Sequence, residues 1–209
     1  MKYSYLALGD SYTIGEQVLP EENFPNETVT LLNQSPSAVA NPHGGGSYSA
    51  PEIIATTGWT TDELDTAIDE ANLSSTYDIV SLLIGVNNQY RGRSVENFAI
   101  EFEGLLKRAI HFASNIPNHV FVLSIPDWGV TPFAEGSDKK KIAEEIDAYN
   151  NVCKLIAEKW NTHYIDITSS QRKDGYKQEF LAADKLHPSG KEYRKWAIQL
   201  ATVIQSVFN

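Results

Sequence analysis

Five times along this chain a short apolar run gives way to an amphipathic stretch long enough for a helix, and this alternation constrains the fold more than any other feature. Ser4–Glu16 begins as an apolar strand that breaks at Gly9. A helix is predicted over Asn23–Asn33, carrying Phe24, Val29, Leu31 and Leu32. Gln34–Pro51 is rich in Ser, Pro, Gly and Asn and reads as a long loop. Glu52–Thr56 is the second strand, followed by a helix that starts at Thr60 or Thr61 and runs to about Leu73. Asp78–Ile84 reads as a third strand buried on both faces. A helix over Val95–Ser114 places Phe98, Phe102, Leu105, Leu106 and Ile110 on one side. His119–Ile125, a helix over Asp138–Asn161, His163–Ile167 and a last helix over Gly190–Phe208 complete the series. Strands alternating with helices predict an α/β protein with a parallel sheet, right-handed crossovers and helices on both faces. No repeat, linker or composition shift interrupts the pattern, so residues 1–209 are expected to form a single domain.

The net charge of −10 argues against a nucleic-acid footprint, which would be basic, and against adhesion to anionic membranes. No apolar run is long enough to span a bilayer. Met1-Lys2-Tyr3 leads straight into the first strand, and Asp10 cuts an apolar run too short for a signal peptide, so a cytoplasmic location is expected. Cys153 is the sole cysteine, which leaves no internal disulfide and no thiolate metal cluster. It is expected to be an inert thiol buried in a helix.

A parallel sheet presents the carboxyl ends of its strands to a crevice, and ligands bind there. Ser11 follows the first strand, Gly58 the second, Asn87 the third, and Asp184 and His187 the fifth. These residue types supply what ester hydrolysis requires. A serine hydroxyl is a weak nucleophile that needs an adjacent base, and a histidine ring titrates near working pH. Asp184 stands three residues before His187, close enough to fix its tautomer. The oxyanion formed by attack needs preorganised donors. The N–H groups of Ser11 and Gly58 and the side-chain amide of Asn87 can provide them. The bland reading of Asp10-Ser11 is a helix cap, and that of Gly58 and Asn87 plain turn geometry.

Four blocks give the pattern a family likeness. Gly9-Asp10-Ser11 is followed by Tyr12, Gly58 lies within Thr57-Gly58-Trp59-Thr60-Thr61, Gly85-Val86-Asn87-Asn88 forms the third block, and Asp184-Lys185-Leu186-His187-Pro188 the fourth. In this order and spacing the chain resembles the SGNH hydrolases, the GDSL esterase/lipase family. The resemblance implies a three-layer, flavodoxin-like α/β/α fold with strand order 2-1-3-4-5. It also implies Ser11 as nucleophile, His187 as base, Asp184 as its partner, and Ser11, Gly58 and Asn87 as the oxyanion hole. Two departures stand out: Tyr12 takes the place of the usual leucine, and Asn88 that of the usual aspartate. Asn88 is expected to hold the loop rather than enter the chemistry.

Asp10, Tyr12, Trp59, Tyr90, Arg91 and Trp128 adjoin the expected crevice in sequence and are candidate substrate-binding residues, although core packing is the ordinary role of tryptophan. Such bulky walls predict a short acyl pocket, and aromatic faces suit a sugar ring. His43-Gly44-Gly45-Gly46 resembles a lipase oxyanion loop of another fold, but no Gly-x-Ser-x-Gly elbow accompanies it, so it reads as surface loop. His111, His119 and His163 lack carboxylates at metal-like spacing, and no metal or cofactor is called for. The expectation is a serine esterase for small-molecule, short-chain esters, with no nucleic-acid partner and no stable membrane association. A thioesterase or lysophospholipase would use the same machinery. A flavodoxin-like binding module is the alternative from another class, but both phosphate-cradling glycine motifs are absent.

Overall fold

In the computed structural model, which describes residues 2–34 and 47–208, the first long strand is the hub of the sheet. This strand, β2 (Tyr5–Asp10), is buried along its whole length because parallel partners flank it on both sides. β4 (Glu52–Thr56) pairs on one side and β5 (Ile79–Leu83) on the other, with Gly9 opposite both Ala55 and Leu83. β6 (Val120–Leu123) and β7 (His163–Ile165) extend the sheet beyond β5, giving the order β4-β2-β5-β6-β7. Numbered along the chain, the five sheet strands stand in the order 2-1-3-4-5, as expected. β5 is buried throughout, and its one hydroxyl, Ser81 Oγ, is paired 2.8 Å from Tyr5 Oη.

Helices flank the sheet to give α/β/α layers. α1 (Ser11–Ile14) is a single turn, and α2 (Phe24–Gln34) packs against the C-terminal α8 (Gly190–Phe208). α3 (Thr61–Glu70), α5 (Val95–Phe112) and α6 (Lys139–Lys159) pack in succession. α3 stops at Glu70 rather than Leu73, because Ala71 takes an extended conformation. Phe98, Phe102, Leu105, Leu106 and Ile110 all face the core from α5, as their spacing predicts. Cys153 is buried in α6, where burial pushes its thiol pKa up.

Four short elements depart from the sequence reading. Lys2–Tyr3 (β1) pairs in parallel with Ser47–Tyr48 (β3), so the long loop expected over Gln34–Pro51 contains a strand near its end. The Asn33 side chain clasps that strand, donating to the Tyr48 carbonyl at 3.0 Å and accepting from the Tyr48 N–H at 2.8 Å. Val86–Tyr90 forms a short helix, α4, and Thr168–Asp174 another, α7. His43–Gly46 lies outside the described residues. Among the described residues no helix is long and apolar enough to cross a membrane.

Candidate active site

The chain must turn sharply from β2 into α1, and Gly9 permits it. A Cβ on Gly9 would lie 2.0 Å from Thr13 Oγ1 and 2.4 Å from the Leu83 carbonyl oxygen. Asp10 caps the turn by accepting the Tyr12 N–H at 3.0 Å. The capping role read for Asp10 is therefore present, and it presents Ser11 at the carboxyl edge of the sheet.

His187 reaches Ser11 from the far end of the chain. Its Nε2 lies 2.9 Å from Ser11 Oγ, and its Nδ1 lies 2.6 Å from Asp184 Oδ2. Lys185, at φ +61°, turns the chain between the acid and the ring. Asp184 Oδ1 accepts the N–H groups of Leu186 and His187, each at 3.0 Å. Partial burial pushes the Asp184 carboxyl up, but hydrogen bonds from the His187 ring and these two N–H groups outweigh it and hold its pKa below the ordinary value. An ionised carboxylate can only accept, so the ring proton belongs on Nδ1. Nε2 is then an acceptor turned toward the Ser11 hydroxyl.

A cavity of about 180 Å³ opens over this line of hydrogen bonds, bounded by Tyr12, Val86, Trp128, Phe133 and Leu186 among others. Gly58 and Asn87 also face it. Gly58 has φ +88°, a left-handed conformation that glycine adopts freely. Asn87 stands in the first turn of α4 and donates from Nδ2 to the Trp59 carbonyl at 2.9 Å. Its second amide hydrogen has no partner among the described residues. Ser11, Gly58, Asn87 and His187, drawn from four separate segments, thus converge on one concavity.

Residues 7–195 of the 209 match the GDSL-like lipase/acylhydrolase family. The chain belongs to that family. As a member it is a hydrolase acting on esters. No curated protein matches it. Among solved structures, TesA is similar at 16% identity, over 98% of this chain and 99% of that one, with a TM-score of 0.70. The acetylxylan esterase Axe2 from Geobacillus stearothermophilus is 20% identical over 99% and 94% of the two chains, with a TM-score of 0.68. The psychrotrophic esterase EstA from Pseudoalteromonas sp., in a structure inhibited by monoethylphosphonate, is 17% identical over 98% and 97%, with a TM-score of 0.65. At such identities the likeness is one of fold.

Against the family pattern, this member's two departures have visible partners. Tyr12 is buried with its ring 5.1 Å from that of His187, so the bulk in place of leucine packs on the imidazole. Asn88 is wholly buried and turned away from the cavity. It accepts the Thr61 N–H at 3.1 Å and donates to Thr61 Oγ1 at 2.6 Å, while the Thr61 hydroxyl donates to Glu101. An aspartate could not donate to Thr61 Oγ1 and would set a second carboxylate beside Glu101. Asn88 therefore ties α4 to α3, as expected of a loop-holding residue.

Of the six residues expected to bind substrate, Tyr12, Tyr90 and Trp128 line the cavity. Asp10, Trp59 and Arg91 do not. Asp10 is fully buried beneath Ser11. Trp59 borders a separate surface depression with Asp62, Glu63, Thr66 and Ala67 of α3, and its carbonyl accepts from Asn87. Arg91 reaches back to Gly58 and Glu63. Adjacency in sequence does not fix side-chain direction, and here it misleads. Val86, Phe133 and Leu186 are wall residues that the sequence reading missed. Leu186 was signalled by its place inside the Asp-x-x-His block, and Val86 by its place before Asn87. Phe133, 47 residues after Val86 and 53 before Leu186, carried no comparable signal.

Asp10 carries a stability consequence. Burial pushes its pKa up to about 7 despite the hydrogen bond from Tyr12, and its Oδ2 has no partner among the described residues. The folded state then holds a proton that the unfolded chain releases near pH 4. Between these values the folded state binds more protons, so this contribution to stability falls as pH rises toward 7. Asp10→Asn removes the titration, and its stability relative to wild type should improve by about 3 kcal/mol from pH 5 to pH 8. Denaturant midpoints at the two pH values check this; parallel changes in both proteins would show that Asp10 does not titrate in this window.

Proposed function

We propose that the protein is a serine esterase hydrolysing short-chain, acetyl-type esters, including those of carbohydrates, through an acyl-enzyme intermediate. The observation that carries this reading is the continuous hydrogen-bonded line from Ser11 Oγ through His187 to Asp184 at the floor of a cavity of about 180 Å³. In this reading Ser11 Oγ attacks the ester carbonyl while its proton passes to His187 Nε2. Asp184 holds the ring with its proton on Nδ1 and stabilises the imidazolium that forms. The N–H groups of Ser11 and Gly58 and the free amide hydrogen of Asn87 receive the developing oxyanion. Collapse expels the alcohol, protonated by His187. Water, deprotonated by the same ring, then releases the acid and restores Ser11.

The cavity favours a small acyl group. Its walls are bulky and mostly apolar: Tyr12, Val86, Trp128, Phe133 and Leu186. Trp128 is fixed there by donating from Nε1 to Gln89 at 2.8 Å, so it forms a rigid side rather than a gate. Tyr90 stands edge-on to Trp128 at 5.3 Å and is 59% exposed, offering a face for a ring-bearing alcohol. The likeness to an acetylxylan esterase supports the same choice. A p-nitrophenyl ester series from about two to sixteen carbons tests it, because added methylenes that find no room lower activity. We expect kcat/KM to fall beyond about four carbons, as further methylenes meet the bulky walls. A maximum at about ten carbons or longer would replace the short-acyl assignment with a lipase-like or thioesterase one, since each accommodated methylene gains about 0.8 kcal/mol.

A further inference from the structure

We infer that Arg91 is a positioning residue for the oxyanion-binding turn, acting through the Gly58 carbonyl; this inference rests on the esterase reading above. Asn87 and Arg91 are one helical turn apart, with the Arg91 N–H donating to the Asn87 carbonyl at 3.0 Å. From this single turn two side chains reach across to consecutive carbonyls. Asn87 Nδ2 holds that of Trp59 at 2.9 Å, and Arg91 Nη2 holds that of Gly58 at 2.6 Å.

Gly58 needs such restraint. With φ +88° and no side chain, it belongs to the residue type with the widest backbone freedom, and its N–H is one of the proposed donors. The Trp59 N–H makes a long turn bond to Thr56 at 3.3 Å, a loose hold on this segment. The two carbonyls held from α4 belong to the Gly58–Trp59 and Trp59–Thr60 peptides, directly after the peptide that carries the Gly58 N–H, so the chain leaving Gly58 is fixed relative to Asn87 and only the rotations at Gly58 itself remain to aim the donor. Arg91 is itself anchored. Its Nη1 lies 3.2 Å from Glu63 Oε1, while Glu63 Oε2 accepts from the Thr60 N–H at 2.8 Å and caps α3. Since the Arg91 and Glu63 side chains are 44% and 40% exposed, their ion pair adds little to stability. The charge-assisted bond to Gly58 is the shorter of the two contacts, at 2.6 Å against 3.2 Å. Arg91 is absent from the cavity lining, which separates this role from substrate contact.

The test compares Arg91→Met, Arg91→Lys and Glu63→Gln in the full chain, using p-nitrophenyl acetate and hydrogen–deuterium exchange of the peptide carrying the Gly58 and Trp59 amides. Loss of an oxyanion donor costs about 10²–10³ in kcat, so a loosened one should cost about 10–100-fold in Arg91→Met, with KM within about twofold. Arg91→Lys should regain part of the loss and Glu63→Gln should lose less, since glutamine still caps α3. Exchange at Gly58 and Trp59 should rise in Arg91→Met. Combined with Asn87→Ala, the loss should be smaller than the product of the single losses. A raised KM at unchanged kcat would overturn the inference in favour of substrate contact, and unchanged exchange would overturn it outright. Should Arg91→Met not fold, exchange and kcat in Glu63→Gln and Arg91→Lys decide by the same criteria. If the wild type hydrolyses no ester, the esterase reading fails, while the exchange comparison still decides whether Arg91 holds the turn.

Discussion

Ser11→Ala is expected to lower kcat for p-nitrophenyl acetate by about 10⁵–10⁶ while leaving the fold intact. The change removes one oxygen whose partner is His187 Nε2, 2.9 Å away. The ring then faces the cavity without a nucleophile, and no buried donor is orphaned, because Nε2 is an acceptor open to water in the cavity. The cap made by Asp10 on the Tyr12 N–H does not depend on the Ser11 side chain. A fluorophosphonate should label the wild-type peptide that contains Ser11 and leave the variant unmodified. Wild-type turnover by the variant would remove Ser11 from the chemistry.

Asp184→Asn should reduce kcat by about 10⁴, with little loss of stability. Asparagine keeps an oxygen able to accept from the Leu186 and His187 N–H groups, so the turn persists. Its amide nitrogen, however, can donate to His187 Nδ1, which drives the ring proton to Nε2. Nε2 then meets the Ser11 hydroxyl as a donor and cannot take its proton. The ring tautomer, observed by nitrogen NMR of labelled histidine, should invert together with the loss of rate; a variant retaining near wild-type kcat would limit Asp184 to shaping the loop. In the wild type the carboxyl is held below its ordinary pKa, so its contribution to stability is present above the unfolded value and is lost as pH falls through the lower folded one.

The strand–helix alternation was legible because each buried strand reads as an apolar run and each long helix shows its spacing. β5 and α5 follow that rule: every residue of β5 is buried, and the five apolar residues picked out on α5 all face the core. Strand order came only with the family likeness, since periodicity carries no information on which strands pair. The short elements escaped for a physical reason. Val86-Asn87-Asn88-Gln89-Tyr90 has the composition of a turn, and its helix is held by long-range bonds: Asn88 to Thr61, and Gln89 Nε2 to Glu145 at 2.7 Å. β1 and β3 are two residues each, too short to show a period. In the site, the backbone blocks of Ser11, Gly58, Asn87, Asp184 and His187 were legible as motifs. Trp59 and Arg91 are drawn to α3; the helix was expected from Thr60, but its sequence does not say which neighbouring side chains turn onto it.

The clasp between Asn33 and Tyr48 bears on which parts of the fold loosen together. It joins the last turn of α2 to the second residue of β3 by two hydrogen bonds, so the small β1–β3 pair is tied to a helix as well as to itself. The hub strand β2 has its own partners in β4 and β5 and ends at Asp10, just before Ser11. Cutting the clasp, as in Asn33→Ala, should therefore free Ser47–Tyr48 to exchange its amides faster while the strand that presents Ser11 stays protected.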